Sequence, residues 1–330
     1  MTAPVSFLLV GAGAIAQSYV QAFKESKLAR LVAVADPRRQ AADAVAAGLG
    51  CQAFSSHEAA LREARFEAAI VCTPPATHAD VAVALAGRGV HVMCEKPLSI
   101  DLAGAHRMVD AASRAGVLLT MASKFRYVAD VIEAKSIVAS GLLGEIILFE
   151  NTFTSRVDMS RRWNADPAVS GGGVLIDNGT HSVDVARYFL GPLAAVQAVE
   201  GKRVQSLAVE DTARMFLRSK AGVVANVDLS WTLNKERDSY IDIYGSDGTV
   251  RVGWKSSQYR HASNPNWIQF GNGYDKVAAF RKQVENFCLA VRGEEPPGIT
   301  SEDAIASVQV IEAAYRSLAH QDWVAVNGGR

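Results

Sequence analysis

Between a short apolar run, Phe7–Val10, and an alanine-rich helical pattern lies Gly11-Ala-Gly13-Ala-Ile-Ala16, a G-x-G-x-x-A sequence in strand–turn–helix context. The first glycine allows a tight turn, the second lets a pyrophosphate approach the backbone, and Ala16 permits close helix–strand packing, while the helix N-terminus attracts negative charge. Gly11, Gly13, Ala14 and Ile15 therefore read as the phosphate-binding residues of a dinucleotide site. Asp36 ends the next strand-like run. Its carboxylate can accept hydrogen bonds from the adenosine ribose hydroxyls and repel a 2′-phosphate, which favours NAD over NADP. With Pro37 behind it, Asp36 also reads as a helix N-cap, and the two roles are compatible. Arg38 places a guanidinium beside the ribose position and keeps NADP open as a second cofactor.

Two further segments carry groups suited to acid–base work. Cys94-Glu95-Lys96-Pro97 ends the strand-like run that starts at His91, and open α/β sheets bind ligands at the carboxyl ends of their strands. A lysine there can polarise a carbonyl or hydrogen-bond a reacting hydroxyl, or it can simply be a solvated charge. Downstream stands Gly171-Gly-Gly173-Val-Leu-Ile-Asp177-Asn-Gly179-Thr-His181-Ser-Val-Asp184. On a helix this spacing puts Asp177, His181 and Asp184 on one face, where a carboxylate can orient an imidazole base and stabilise its cation. A capped helix start carrying an incidental histidine fits the same residues. Just before the glycines, Arg156, Arg161, Arg162 and Trp163 form a basic aromatic loop, either a solvated connection or a grip on a carboxylate or phosphate with Trp163 stacked on a sugar ring.

Those groups need a scaffold. Strand-like runs at Phe7–Val10, Leu31–Ala35, Ala69–Cys72, His91–Cys94 and Leu118–Ala122 alternate with helical patterns near 14–25, 38–48, 77–87 and 102–115, the signature of βαβ units and a parallel sheet. Ser55-Ser-His-Glu58 has the form of a capping box opening a short helix. Beyond about residue 123 come a helix near 128–140, strands at Ile146–Thr154, Ala194–Val204, Thr212–Arg218, Val223–Trp231, Tyr240–Tyr244 and Thr249–Val252, and helices near 181–190, 275–292 and 301–319. The last opens with Thr300-Ser-Glu-Asp303, again a capping box. The expected architecture is α/β plus α+β: a doubly wound Rossmann domain at 1–123, then a substrate-binding and oligomerisation domain at 124–330, whose open, mostly antiparallel sheet has helices on one face. Val223, Val227, Leu229 and Trp231 are expected on the uncovered face, joining subunits into a homodimer or homotetramer.

Composition narrows the partners. The 330 residues hold 34 Lys plus Arg and 34 Asp plus Glu, so the basic footprint of a nucleic-acid binder is missing and a small-molecule partner is expected. Cys51, Cys72, Cys94 and Cys288 show no metal-ligand spacing, so no metal site is expected. With no signal-like N-terminus and no run of about 18 apolar residues, the expectation is a cytoplasmic chain without membrane contact.

The chain resembles the glucose–fructose oxidoreductase, inositol dehydrogenase and rhizopine-catabolism (Gfo/Idh/MocA) oxidoreductases. The likeness rests on Gly11-Ala-Gly-Ala-Ile-Ala16, Thr73-Pro-Pro-Ala-Thr-His78, Glu95-Lys-Pro97 and the triple glycine with Asp177-x-Gly-x-His181-x-x-Asp184, in the family's order and approximate spacing. It implies a catalytic set of Lys96, Asp177 and His181, cofactor contacts from Thr73, Pro74, His78 and Glu95 as well as Lys96, and a cis bond before Pro97. Where many sugar and polyol members carry an Asn-Arg-Arg-Phe type segment, this chain has Ser123-Lys-Phe-Arg-Tyr127, so substrate identity does not transfer. Lys124, Arg126, Arg156, Arg162, Trp163 and Asn178 are the candidate substrate contacts. The reaction implied is hydride transfer between the nicotinamide and a secondary alcohol or ketone of a sugar, polyol or derivative, acidic and nucleotide-linked sugars included. A glycosidase using transient oxidation and a non-catalytic NAD-binding regulator are the alternatives in the same family.

Overall fold

The computed structural model describes residues 3–326. They form two compact units, one of residues up to Lys124 with Lys276–Ile305, the other of Phe125–Asp275 with the residues from Ala306 on.

The first unit is built on β1 (Val5–Val10), α1 (Ala16–Glu25), β2 (Ala29–Ala35), α2 (Arg39–Leu49), β3 (Gln52–Phe54), α3 (His57–Glu63), β4 (Ala68–Val71), α4 (His78–Ala86), β5 (His91–Glu95), α5 (Leu102–Ala115) and β6 (Leu119–Ala122). Its six parallel strands lie in the order β3-β2-β1-β4-β5-β6. Helices cover both faces of such a sheet, which is why its strands read as unbroken apolar runs. Phe7, Leu8, Leu9 and all of β4 are buried. In α1 the buried Ala16, Tyr19, Val20 and Phe23 recur at helical spacing, and Phe23 meets Phe7 edge-on at 5.3 Å. The strand order reverses between β1 and β4, so the loops after these two strands flank the crevice where doubly wound sheets bind ligands. The N-cap of α3 is Ser56, which accepts from the Ala59 N–H, one residue later than the Ser55 capping box implies.

The second unit contains α6 (Ala129–Ala139), β7 (Ile146–Thr154), α7 (Pro167–Ser170), α8 (Val174–Leu190), β8 (Leu193–Glu200), β9 (Thr212–Ser219), β10 (Val224–Ser230), β11 (Ser239–Gly245), β12 (Gly248–Gly253), β13 (Ser257–His261) and β14 (Ile268–Gly271). The chain closes with α9 (Lys276–Val291), α10 (Ser301–His320) and β15 (Val324–Ala325). Nine strands run in the order β14-β13-β12-β11-β7-β10-β9-β8-β15, antiparallel except for β7 beside β10. α8 packs on β7, β9 and β10, and α6 on β12 and β14.

Three expectations are corrected here. The segment 276–305, read as part of the second domain, belongs to the first unit: α9 lies on α1, with Phe287 6.2 Å from Phe7 and Phe280 4.8 Å from Tyr19. Burying one such aromatic side chain stabilises by roughly 1.5–3 kcal/mol, which anchors the returning helix. Secondly, α8 begins at Val174 and not near 181. Thirdly, Val227 and Leu229 face the helices: both are buried, and Leu229 approaches Gly179 of α8. Trp231, just past the strand, is also buried. The outward side of β10 carries Asp228, paired with Arg214 at 2.6 Å and with Lys235. Farther along the sheet Arg237 and Arg251 flank Asp242 at 3.3 and 3.4 Å. The outward side of these strands thus carries ion pairs, which tolerate water, and not the apolar residues expected there.

Candidate functional site

In the first unit the glycine loop has the shape its sequence implies. Gly11 has φ +95°, and a Cβ there would lie 2.7 Å from the Cys72 carbonyl oxygen, so both conformation and space require glycine. A Cβ on Gly13 would meet nothing within 4 Å. The following α1 has no side-chain cap and no acidic residue in its first turn. Its leading N–H groups and the open space at Gly13 thus suit a phosphate group. Asp36, only 4% exposed, accepts from the Ala12 N–H at 2.7 Å and the Arg38 N–H at 2.8 Å, and Arg38 Nε and Nη2 both reach it at 3.1 Å. Burial alone would raise its pKa, but these donors outweigh it and hold the carboxyl below its ordinary value. The N-cap of α2 is Arg38, so Asp36 acts as a tie between the glycine loop and the end of β2, not as the cap of that helix.

The Thr73 and Lys96 segments, at the ends of β4 and β5, are joined by His78. Its ring is fully buried, with Nδ1 2.9 Å from the Pro97 carbonyl and Nε2 2.8 Å from the Thr73 carbonyl. Both nitrogens are thus taken up inside the unit, where His78 ties the loops after β4 and β5 together. Burial lowers its pKa. The Lys96–Pro97 bond is cis, as the resemblance implies. Glu95 is buried; Tyr19 Oη donates to it at 2.7 Å, and the Lys96 N–H at 3.1 Å. Burial raises its pKa, against the pull of Tyr19, Lys96 and Lys124. Lys124 lies over the Phe280 ring at 5.7 Å. Sequence reading missed the Tyr19–Glu95 contact, because its partners stand 76 residues apart.

In the second unit Asp177 and His181 lie one turn apart on α8, on one face by helical spacing. Asp177 is half-buried in the first turn, and His181 is buried with its ring edge-on to Phe125 at 5.0 Å. Asp184 is fully buried and paired with Arg126, whose Nη2 and Nε reach it at 2.7 and 3.0 Å. The Arg126 guanidinium is itself buried and lies over the Tyr188 ring at 5.3 Å. Asn178 donates to the Phe153 carbonyl at 3.1 Å, which commits its amide to β7. The glycine run lets the backbone close on Glu210, which accepts from the Gly173 and Leu175 N–H groups at 3.1 and 3.0 Å and from Tyr315 Oη at 2.9 Å. This carboxylate at the N-terminus of α8 was not legible in the sequence. The loop bearing Arg156, Arg161, Arg162 and Trp163 is exposed at all four, and Gln205 fixes its base through the Met159 N–H and the Val157 carbonyl.

Among the described residues no group of His, Cys, Asp or Glu is arranged to hold a metal ion, and no helix is long and apolar enough to cross a membrane.

Residues 5–123 match the model of the oxidoreductase family with NAD-binding Rossmann fold, and residues 131–251 match the GFO/IDH/MocA C-terminal domain. An inositol 2-dehydrogenase of Rhizobium meliloti (strain 1021) is 26% identical, over 98% of this chain and 99% of its own length. D-xylose 1-dehydrogenase (NADP(+)) 2 of Haloferax volcanii is 29% identical over 86% of this chain and 88% of its own. Among solved structures, levoglucosan dehydrogenase in complex with NADH and levoglucosan superposes with a TM-score of 0.90 at 21% identity, covering 98% of this chain and 100% of that one, which establishes the shared fold. Two matched domains in the expected order make this chain a member of the GFO/IDH/MocA family of NAD-binding oxidoreductases.

Proposed function

We propose that the chain oxidises a secondary alcohol of a sugar, polyol or sugar derivative with NAD, or reduces the corresponding ketone. The observation that carries this reading is the glycine loop: an uncapped, acid-free start of α1, open space at Gly13, and a buried Asp36 tied to the same loop. NAD held there supplies a hydride acceptor at its nicotinamide ring. Thr73, Pro74, Glu95 and Lys96, on the loops ending β4 and β5, form the nicotinamide side of the proposed site. His181 takes the hydroxyl proton, Asp177 stabilises the resulting imidazolium, and Lys96 hydrogen-bonds the reacting oxygen. Ketone reduction runs the same transfers backwards.

NAD is the proposed first cofactor because Asp36 carries a depressed pKa and stays anionic. Arg38, already beside it, leaves room for NADP. The exposed Arg156, Arg162 and Trp163, with Lys124, support a substrate that is acidic or nucleotide-linked. A homodimer or homotetramer through the second unit's sheet belongs to the same proposal, on residues other than those first expected. Its support is the exposed Val199 and Leu233, which border a cavity of ≈ 410 Å³ on the outward face beside the Arg214, Asp228 and Lys235 ion pairs. Four free cysteines suit a reducing compartment and support a cytoplasmic location. The test is turnover of a sugar and cyclitol panel with NAD, read at the reduced-nicotinamide absorbance band: activity lost in Lys96→Met and His181→Ala supports the assignment, and activity kept in both refutes it.

A further inference from the structure

Beside His181 the second unit holds an aromatic wall that the reaction scheme does not use. His181 lies edge-on to Phe125 at 5.0 Å, and Trp254 meets the same Phe125 ring at 6.4 Å. Tyr240 lies against Trp254 at 4.4 Å, and Tyr274 meets it edge-on at 5.6 Å. Tyr240 is buried, whereas Trp254 remains 41% exposed. Backed by Tyr240 and Tyr274 and still part-exposed, the indole is a platform. Because His181 and Trp254 share Phe125, their ring centres are no farther apart than 5.0 and 6.4 Å taken end to end, a span that one six-membered sugar ring with its hydroxyls can bridge.

The platform is braced from below. The Trp254 backbone N–H donates to the Asp238 carbonyl at 3.0 Å, and the Tyr274 backbone N–H to the Trp254 carbonyl at 3.1 Å. Gly273 has φ +90°, and a Cβ there would lie 2.5 Å from the Trp254 carbonyl oxygen, so the strand end and the following loop close tightly. Asp130 of α6, itself buried, fixes that closure by accepting from Ser257 Oγ at 2.5 Å and from the Gly273 N–H at 2.8 Å. Packed against Tyr240 and Tyr274 on this braced backbone, the indole loses little conformational freedom when a ligand stacks on it.

We propose that Trp254 is the stacking platform for the apolar C–H face of a cyclic substrate, a pyranose or cyclitol ring, and that this contact selects cyclic over open-chain polyols. An open-chain polyol must freeze several torsions to present an equivalent flat face, whereas a ring presents it already formed. The inference rests on the oxidoreductase reading of His181.

The test compares wild type, Trp254→Phe and Trp254→Ala with NAD, using D-glucose, D-xylose and myo-inositol as rings and D-sorbitol and xylitol as open chains. Substrate contact is also measured without turnover, by saturation-transfer NMR. The expected result is a ring KM at least about tenfold higher in Trp254→Ala, about 1.4 kcal/mol, with a smaller rise in Trp254→Phe and an unchanged Kd for NAD. The advantage of rings over chains should vanish in Trp254→Ala. Wild type that turns rings over, with the same KM and ring preference in a folded Trp254→Ala, overturns the platform and leaves the function standing. Rings that bind through Trp254 but are not turned over support the platform and refute the function. Rings that neither bind nor react refute both.

Discussion

Replacing Asp36 by serine tests the cofactor reading at a single atom pair. In the wild type the carboxylate is held by four donors between 2.7 and 3.1 Å, two backbone N–H groups and two guanidinium nitrogens. Serine removes the negative charge that would face a 2′-phosphate and releases Arg38, already 67% exposed on its solvent side, to pair with that phosphate. The two changes act in the same direction. Exposed ion pairs contribute roughly 0.2–1 kcal/mol, and relief of a like-charge contact is of similar size or larger. Their sum should shift the ratio of kcat/KM for NAD to that for NADP by at least about tenfold, about 1.4 kcal/mol. The substitution also cuts the tie to the Ala12 N–H, so NAD should bind more weakly while NADP binding improves. Steady-state kinetics with both cofactors at saturating substrate give the ratio directly. A wild type that already prefers NADP, or a variant with an unchanged ratio, would refute the reasoning.

Other substitutions probe the remaining links. Lys96→Met keeps the aliphatic stem and removes the charge; kcat should fall by orders of magnitude while the Kd for NAD, by fluorescence titration, changes little. Asp184→Asn leaves Arg126 buried without its counter-charge and should cost about 3–5 kcal/mol of unfolding free energy in urea; a loss under about 1 kcal/mol would remove the pair from the account of the second unit. Gly11→Ala forces a Cβ against the Cys72 carbonyl at a positive φ and should abolish NAD binding or prevent folding, visible in calorimetry with and without NAD. Acid titration should expose Asp36 as well. Its folded pKa lies below the unfolded value, so its contribution to stability is present above the ordinary carboxylate range and is lost as pH falls through the depressed pKa, a slope that Asp36→Asn should flatten.

What was legible in the sequence followed from periodicity and local chemistry. The buried parallel strands read as apolar runs, and the capping box at Thr300–Asp303 closes as written, with the Asp303 N–H on Thr300 Oγ1 at 3.1 Å and the Thr300 N–H reaching Asp303 at 3.4 Å. Alternation in β10 is also plain, but alternation gives two faces and not which one is covered, so Val227 and Leu229 are placed on the wrong side without knowledge of α8. The start of α8 is hidden by glycines with poor helix propensity. Packing decides it: a Cβ on Gly179 would already touch Leu229 at 3.2 Å and Ile311 at 3.4 Å, so glycine there serves close approach inside a helix. Short strands such as Gln52–Phe54 offer too few residues for a period. In the site, the loop chemistry of Gly11 and Gly13 was readable, whereas Arg126–Asp184, Tyr19–Glu95 and the Trp254 wall join residues far apart in the chain, and spacing says nothing of such pairs.

The central claim is that this chain passes hydride between NAD and a ring hydroxyl through Lys96 and His181. The most direct measurement incubates the purified protein with NAD and a cyclic sugar or cyclitol, following the reduced-nicotinamide band and the ketone product by mass spectrometry. Stoichiometric reduced cofactor and ketone, both absent in Lys96→Met and in His181→Ala, are predicted. Cleavage of a glycoside with no net reduced cofactor, or product formation undiminished in the two variants, would contradict it.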